Sequence, residues 1–383
     1  MANIHILALD ATRMGGAGVY TAGLIAVLAA RGHAITLICH EASDQVKRVA
    51  QVLEIPRFNS QQGLGMWRFG SWNQIGHYRR MLLSLHLPDA DIVIASAQPI
   101  AVPYHSLFPR TPMIYLQHSL VAPVELRSYG YTDRIQRFVA VSTYHYLEKK
   151  CLAISRTTIR FTHAASTSFK DFYGDDLCSK FQILPMPINS RPQRKREKIT
   201  GAMRLLSVGR LIKTKNLSFL INALYSLRTF DWHLEIVGSG GETAELKAEV
   251  TRLQLDKRIS FTGHLDNVMP SYERADIFLF PSILENSPVV LLEAMSHSLP
   301  SLSFKPDGKY YLGANDEIVI HGETGLLAKD DEDFKRILRD ILTKHIDLHV
   351  MGNTAWETIS ARHSWISHGI EIEKLMQQQC DAS

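Results

Sequence analysis

Short apolar runs of strand character alternate with amphipathic stretches along this chain, and the alternation breaks once and then restarts. HILALD (5–10) leads into a helical pattern from Val19 to Ala30, followed by ITLIC (35–39), DIVIAS (91–96), PMIYLQH (112–118), FVAVS (138–142) and ILPMPI (183–188). Each run is short and bounded by polar residues, so each reads as a buried strand. The break, NSRPQRKREKITGA, has no apolar periodicity and carries Arg191, Arg194, Lys195, Arg196 and Lys198. It reads as a solvated linker, with a lipid-binding basic patch as the alternative. Beyond it LLSVG (205–209), LEIVG (234–238), ISFTG (259–263), DIFLF (276–280) and PSLSF (300–304) resume the pattern. Strands alternating with helices build parallel sheets from βαβ units. The expected fold is α/β, with two Rossmann-like domains at 1–190 and 203–364, a basic linker at 191–202 and an intervening cleft. A final helix, 365–383, is expected to cross back onto the first domain. At 383 residues the chain exceeds one typical core and suits two. Ligands in such sheets bind beyond the carboxyl ends of the strands.

Composition narrows the function classes. Hydrophobic residues at 45% and charged residues at 21% describe an ordinary soluble protein. A net charge of +4, from 42 basic and 38 acidic residues, gives no argument for nucleic acid. It is compatible with anionic substrates or an anionic membrane surface. Cys39, Cys151, Cys178 and Cys380 have neither metal-type nor redox-type spacing, and are expected to be reduced thiols of a cytoplasmic protein. The start, MANIHILALDATRMGG, lacks the basic and apolar regions of a signal peptide. With no apolar run of roughly 20 residues, any membrane contact would be peripheral.

Glu285 and Glu293, with seven residues between them in LENSPVVLLEAM, follow the strand ADIFLFPS. Ser287 and Pro288 form a helix-start signal, a capping hydroxyl and then proline at the first helical position. Two carboxylates would then flank free amides of Val289, Val290 and Leu291. A helix N-terminus favours an anion such as phosphate, and carboxylates accept hydrogen bonds from sugar hydroxyls. The pattern therefore suits a sugar nucleotide; taken alone, it equally suits two surface acids near a favourable helix dipole.

Other elements recur in the matching order. In DATRMGGAGVY (10–20) Gly15, Gly16, Ala17 and Gly18 sit where a strand turns into a helix, leaving room for a phosphate or sugar, or simply for a tight turn. The dinucleotide spacing G-x-G-x-x-G is absent. Arg210 and Lys215 lie on the loop GRLIKTKN, where arginine can hold phosphate bidentately and lysine acts as a point charge. His118 ends the strand PMIYLQH; His105 and His163 compete with it as candidates. Asp89 and Asp91 precede a strand and read as a turn instead of a metal clamp. The run Asp330 to Asp333 reads as a helix start.

Together these segments resemble the retaining GT-B glycosyltransferases of family 4, a large group of bacterial sugar transferases, over nearly the whole chain. The carriers are GGAGVY, the HS pair at His118, FVAVS, GRLIKTKN, LEIVGSG, ISFTGHL, ADIFLFPS, ENSPVVLLEAM and HGETGLLA (321–328). The resemblance implies that Arg210 and Lys215 neutralise the donor diphosphate and that Glu293 binds the ribose hydroxyls. It implies that Glu285 holds a hydroxyl of the transferred sugar, with Asn286, Ser287, Pro288 and Val289 lining the donor site. Gly16 and its neighbours would approach the phosphate from the facing domain, His118 would contact the sugar near the reacting carbon, and the base would stack near His264 and Leu265. The expected donor is UDP- or GDP-linked, with no metal and no other cofactor. Retention is expected because GGAGVY offers no general base for inversion. Ser287 stands where the family often has glycine, Ser298 replaces the glycine two residues before Pro300, and KPDGKYYLGANDE (305–317) is longer and more aromatic than usual. These departures bear on sugar specificity.

The rivals are a sugar-nucleotide epimerase or phosphorylase, a secondary-metabolite glycosyltransferase and a non-catalytic binder on the same fold. The acceptor may be read three ways: saccharide, lipid-linked or small molecule. MWRFGSWNQIGHYRRMLLSLHL (66–87) has helical periodicity with aromatics and bases, and suits either a peripheral membrane face or a helix packed on the first sheet.

Overall fold

The computed structural model describes residues 1–12, 16–57, 70–118, 134–164, 170, 173–189, 192–193 and 201–381. Gly15, residues 66–69 and the basic positions 191, 194, 195, 196 and 198 lie outside them. The chain divides into two compact units, Met1–Pro187 with Trp365–Ser383, and Ile188–Ser364.

In the first unit the strands are β1 (Asn3–Leu7), β2 (Asp10–Ala11), β3 (Ala34–Cys39), β4 (Glu41–Ala42), β5 (Gln51–Glu54), β6 (Ile92–Ala95), β7 (Met113–Leu116), β8 (Thr157–Arg160) and β9 (Phe181–Ile183). Seven of them form one sheet in the order β5-β3-β1-β6-β7-β8-β9, while β2 and β4 pair separately. Every rung is parallel, so each connection between neighbouring strands crosses back over the sheet. The central strands are buried throughout, which is why they read as continuous apolar runs.

Two expected strands are corrected. FVAVS lies inside the helix Arg134–Ile154, and the sheet position is taken by β8, TTIR. A short apolar run fits a buried strand and a buried helical segment equally, and only the longer pattern through Ile154 separates them. Of ILPMPI only Ile183 is in a strand, because β9 begins at Phe181 and two prolines follow. The helix Gly70–Ser84 packs against the helices Gln98–Leu107 and Arg134–Ile154. It buries Tyr78 and Leu82 and leaves Arg79, Arg80 and Leu83 exposed.

The second unit contains β10 (Met203–Val208), β11 (Trp232–Val237), β12 (Ile259–Gly263), β13 (Ile277–Phe280), β14 (Ser301–Phe304) and β15 (Gly325–Ala328). They form a six-stranded sheet in the order β12-β11-β10-β13-β14-β15, again parallel. Its core joins Leu220, Ile221 and Leu224 of the helix Leu217–Ser226 to Trp232, Leu302, Phe304 and Phe334. The run at Asp330 does start a helix: the Asp330 carboxylate accepts from the Asp333 amide at 2.8 Å and caps Asp331–Leu342.

The helix Trp365–Asp381 belongs to the first unit and packs on the helix Gly16–Ala30. Gly23 makes the approach feasible, since a Cβ there would lie 2.1 Å from the Trp365 ring. The Tyr20 hydroxyl and His368 Nε2 are 2.7 Å apart, and Glu373 bridges Arg31 and His33. Gly76, by contrast, has nothing within 4 Å of a built Cβ. Gly23→Ala is therefore expected to destabilise the first unit by about 1–3 kcal/mol through overpacking, whereas Gly76→Ala should stabilise it by about 0.5–1 kcal/mol through helix propensity. Urea unfolding followed by circular dichroism measures both, and equal effects would contradict the packing account.

Candidate functional site

Parallel strands deliver all their carboxyl ends to one edge of the second sheet, and the loops there bond sideways to one another. Gly238 N–H donates to the Gly263 carbonyl at 2.7 Å, Gly209 N–H to Val237, and Leu211 N–H to Ser239, so the ends of β12, β11 and β10 are joined. Ile283 N–H donates to Thr214 at 2.9 Å, linking the β10 and β13 loops. Glu285 N–H to Leu312 and Leu312 N–H to Ile283 add the loop after β14. Gly238, at φ +133°, permits this closeness, because a Cβ would fall 1.9 Å from the Gly209 carbonyl oxygen.

Lys215 ends the short 3₁₀ turn Lys213–Lys215, and Asn216 turns the chain into the next helix at φ 53°. The Lys215 ammonium pairs directly with the Glu285 carboxylate, the two side chains being only 18% and 13% exposed. Phe280, the last residue of β13, lies beneath, its ring centroid 5.2 Å from Lys215 Nζ. Ser282 is buried, and its hydroxyl is 2.5 Å from Glu285 Oε1 and 3.0 Å from the Thr214 carbonyl. The carboxylate is thus held by a cation and a hydroxyl. Removing either charge would leave the other in a partly desolvated place. Arg210 lines the same concavity as Lys215, with Gly209 and Phe280, and is exposed with no ion pair among the described residues. The structure therefore brings Arg210, Lys215 and Glu285 together, with the exposed Arg210 guanidinium beside the Lys215–Glu285 pair.

The helix after Glu285 starts one residue later than expected. It runs Val289–Ser296 with Pro288 as its N-cap and no side-chain cap, so the Ser287 hydroxyl does not act as one. Leu291 N–H donates to the Pro288 carbonyl at 2.9 Å, so of the three amides expected to be free it is already used. Val289 and Val290 head the helix, where N–H groups have no intrahelical acceptor. Asn286 and Ser287 are half-buried in the preceding turn. Glu293, in the second turn, is half-buried and accepts a 2.8 Å hydrogen bond from the Tyr272 hydroxyl. Ser298, in place of the family's glycine, adopts φ 55° while fully buried. His264 and Leu265 follow β12; His264 is exposed, 4.0 Å from Asp266.

The remaining candidates lie in the first unit. Gly16 and Ala17 are exposed at the start of the helix Gly16–Ala30. Gly18 is buried, and its vacant side faces Asp10 Oδ1 at 2.3 Å and the Thr12 carbonyl, so that glycine serves close packing within its own unit. His118 follows β7 and is wedged between Tyr20 and Phe161, each with its ring centroid 5.0 Å away. Desolvation there pushes its pKa down to about 4. Asp91 of the Asp–x–Asp pair accepts from Asn3 N–H at 2.8 Å and fastens β6 to β1.

Ser282, Tyr272 and His297 were not singled out in the sequence. Their only signal is adjacency to motif residues, since hydroxyl and ring partners come from three-dimensional packing.

A model of glycosyl transferases group 1 matches residues 189–358, and one of glycosyltransferase family 4 matches residues 14–188. The chain is similar to an uncharacterised glycosyltransferase of Haemophilus influenzae, 29% identical over 178 residues, which are 45% of this chain and 47% of the relative. It is also similar to an amylovoran biosynthesis glycosyltransferase of Erwinia amylovora, 31% identical over 101 residues, 26% of this chain and 29% of the relative. The matched segments thus span less than half the length of these curated relatives. The structure of Anabaena HepE with UDP and glucose superimposes with a TM-score of 0.70 at 17% identity, covering 99% of this chain and 100% of that one.

Neutral His118 makes the fold sensitive to acid. Its folded pKa near 4 is below the unfolded value of about 6.5. The unfolded chain therefore binds more protons between those values, and stability falls as pH drops through that window. Between pH 7 and pH 5 the wild type should lose about 1–2 kcal/mol more than His118→Phe. Urea midpoints at the two pH values check this, and equal losses would contradict the enclosed position of the ring.

Proposed function

The chain belongs to the group 1, family 4 glycosyltransferases and has their GT-B fold of two parallel-sheet α/β domains, and on that premise we propose that it moves a hexose-type sugar from a nucleoside-diphosphate sugar to an acceptor hydroxyl. The reaction retains anomeric configuration, requires no metal and serves the synthesis of a bacterial cell-surface polysaccharide or glycolipid. The observation that carries the reading is the Lys215–Glu285 pair, set beside Arg210, which has no ion pair among the described residues, at the carboxyl edge of the second sheet.

Cleavage of the donor sends the electron pair of the C1–O bond onto the diphosphate. Fixed cations stabilise that charge without reorganising at the moment of reaction. Arg210 and Lys215 take this role, helped by the Val289 and Val290 amides. Lys215 must loosen from Glu285 to meet a phosphate, which frees the carboxylate to accept from a hydroxyl of the transferred sugar. Glu293 accepts from the ribose hydroxyls, and the base stacks near His264 and Leu265. The first unit serves the acceptor side, and Gly16 and Ala17, with Gly15 on the strength of the sequence alone, are assigned to the donor phosphate. His118, neutral at pH 7, can bond a sugar hydroxyl without placing a positive charge beside the oxocarbenium-like carbon. The acceptor oxygen bonds C1 on the face the phosphate leaves, and its proton passes to a phosphate oxygen.

A donor linked to UDP or GDP is in keeping with this site, and HepE was solved with UDP and glucose. The amylovoran relative supports a polysaccharide context. Among the described residues no helix is long and apolar enough to cross a membrane. Work at the cytoplasmic face, with peripheral contact to a lipid-linked acceptor, fits the exposed Arg79, Arg80 and Leu83.

Thermal shifts with UDP- and GDP-sugars should identify the donor, since a ligand at 100 times its Kd stabilises by about 2.7 kcal/mol. With that donor, Lys215→Ala is expected to lower turnover or donor hydrolysis by about 100-fold or more while the circular dichroism spectrum persists. Activity should survive EDTA, and proton NMR should show the donor's anomeric configuration in the product. Full activity in Lys215→Ala, loss of activity in EDTA, or an inverted product would each overturn the corresponding part of the reading.

A further inference from the structure

We infer that Tyr272, backed by His297, is a positioning residue that orients the Glu293 carboxylate and so sets the preference for a ribose bearing both hydroxyls; this rests on the donor-site reading above. Tyr272 belongs to the short helix Met269–Arg274, ahead of β13, whereas Glu293 and His297 follow that strand. The Tyr272 hydroxyl donates to Glu293 Oε2 at 2.8 Å. Its ring is 2% exposed and stacks on His297 with centroids 5.2 Å apart and planes 19° apart. Phe278 closes on the tyrosine ring at 5.8 Å.

His297 is itself fixed. Its Nδ1 lies 2.8 Å from the Glu293 carbonyl oxygen, which can only accept, so Nδ1 carries the proton. Ser296 donates to the same carbonyl at 2.8 Å. The backbone of Glu293 is therefore held through His297, and its carboxylate through Tyr272, by one stacked pair.

A glutamate side chain has several rotatable bonds, and binding a vicinal diol requires both carboxylate oxygens to face it. Holding one oxygen with a rigid donor removes the alternative rotamers before the ligand arrives. Each carboxylate oxygen keeps a second lone pair, so a hydrogen bond from Tyr272 does not prevent one from a sugar hydroxyl. Burial, with the Glu293 charge next, raises the ionisation of the phenol well above its ordinary value, so it remains a donor throughout the neutral range.

The test is calorimetric titration of the full chain with UDP or GDP, whichever binds the wild type more tightly, and with its 2′,3′-dideoxy analogue. The wild type should favour the ribonucleotide by about tenfold or more, as expected for hydrogen bonds to a charged group. Tyr272→Phe keeps the stacked ring and removes only the hydroxyl. The ribo-to-dideoxy ratio should fall by about three- to tenfold, with affinity for the dideoxy analogue preserved within about twofold. An unchanged ratio overturns the inference, as does an equal loss for both ligands, which would mean a purely structural tyrosine. If Tyr272→Phe fails to fold, His297→Phe decides: it keeps the stack and removes the Nδ1 donor, and a ratio lowered by about twofold supports the inference while an unchanged one overturns it. Failure of the wild type to bind either ribonucleotide contradicts the donor-site reading itself, and the inference falls with it.

Discussion

Sideways hydrogen bonding between the loops at the carboxyl edge of the second sheet is the constraint on which the site depends. A parallel sheet gathers strand ends but leaves the loops independent. Here Gly263, Gly238, Gly209, Thr214, Ile283 and Leu312 form a continuous backbone chain from β12 across to the loop after β14. Lys215 and Glu285 are 70 positions apart in the chain, yet meet because the Thr214 carbonyl accepts from the Ile283 amide and ties the two loops together. The ion pair is thus set by backbone contacts, and two flexible side chains need little further ordering to find each other.

That arrangement suits reversible use. A partly buried ion pair has given up hydration and contributes little net stability. In the proposed reaction, a ligand anion at Lys215 would replace Glu285 with a comparable partner, and the released carboxylate would accept from hydroxyl donors on the same ligand. Glu293 is different in kind, its carboxylate being bound to a neutral phenol that has no reason to leave. One acid is held by a cation, the other by a neutral hydroxyl.

Much of this architecture was legible in the residues. All five strands expected from LLSVG to PSLSF are present, because buried parallel strands must be short, apolar and bounded by turns. The first unit was harder. FVAVS has a strand's composition but lies within a helix, and TTIR, the actual strand, has half its length in threonine. The Glu285–x₇–Glu293 spacing and the Arg210–Lys215 loop named segments that lie at the carboxyl edge of the second sheet, where Lys215 meets Glu285 and lines one concavity with Arg210. Their partners were not legible: Ser282, Tyr272 and His297 act through contacts that depend on how the sheet and its helices pack. Gly18 shows the converse, a glycine whose role is to admit Asp10, though its neighbours Gly16 and Ala17 are open.

A crystal structure of the full chain with its preferred nucleoside diphosphate would test the central claim most directly. The expected result places diphosphate oxygens within hydrogen-bonding distance of Lys215 Nζ and Arg210, with Glu285 released or sharing the ammonium. A nucleotide bound elsewhere, with Lys215 and Glu285 still joined to each other alone, would contradict the account.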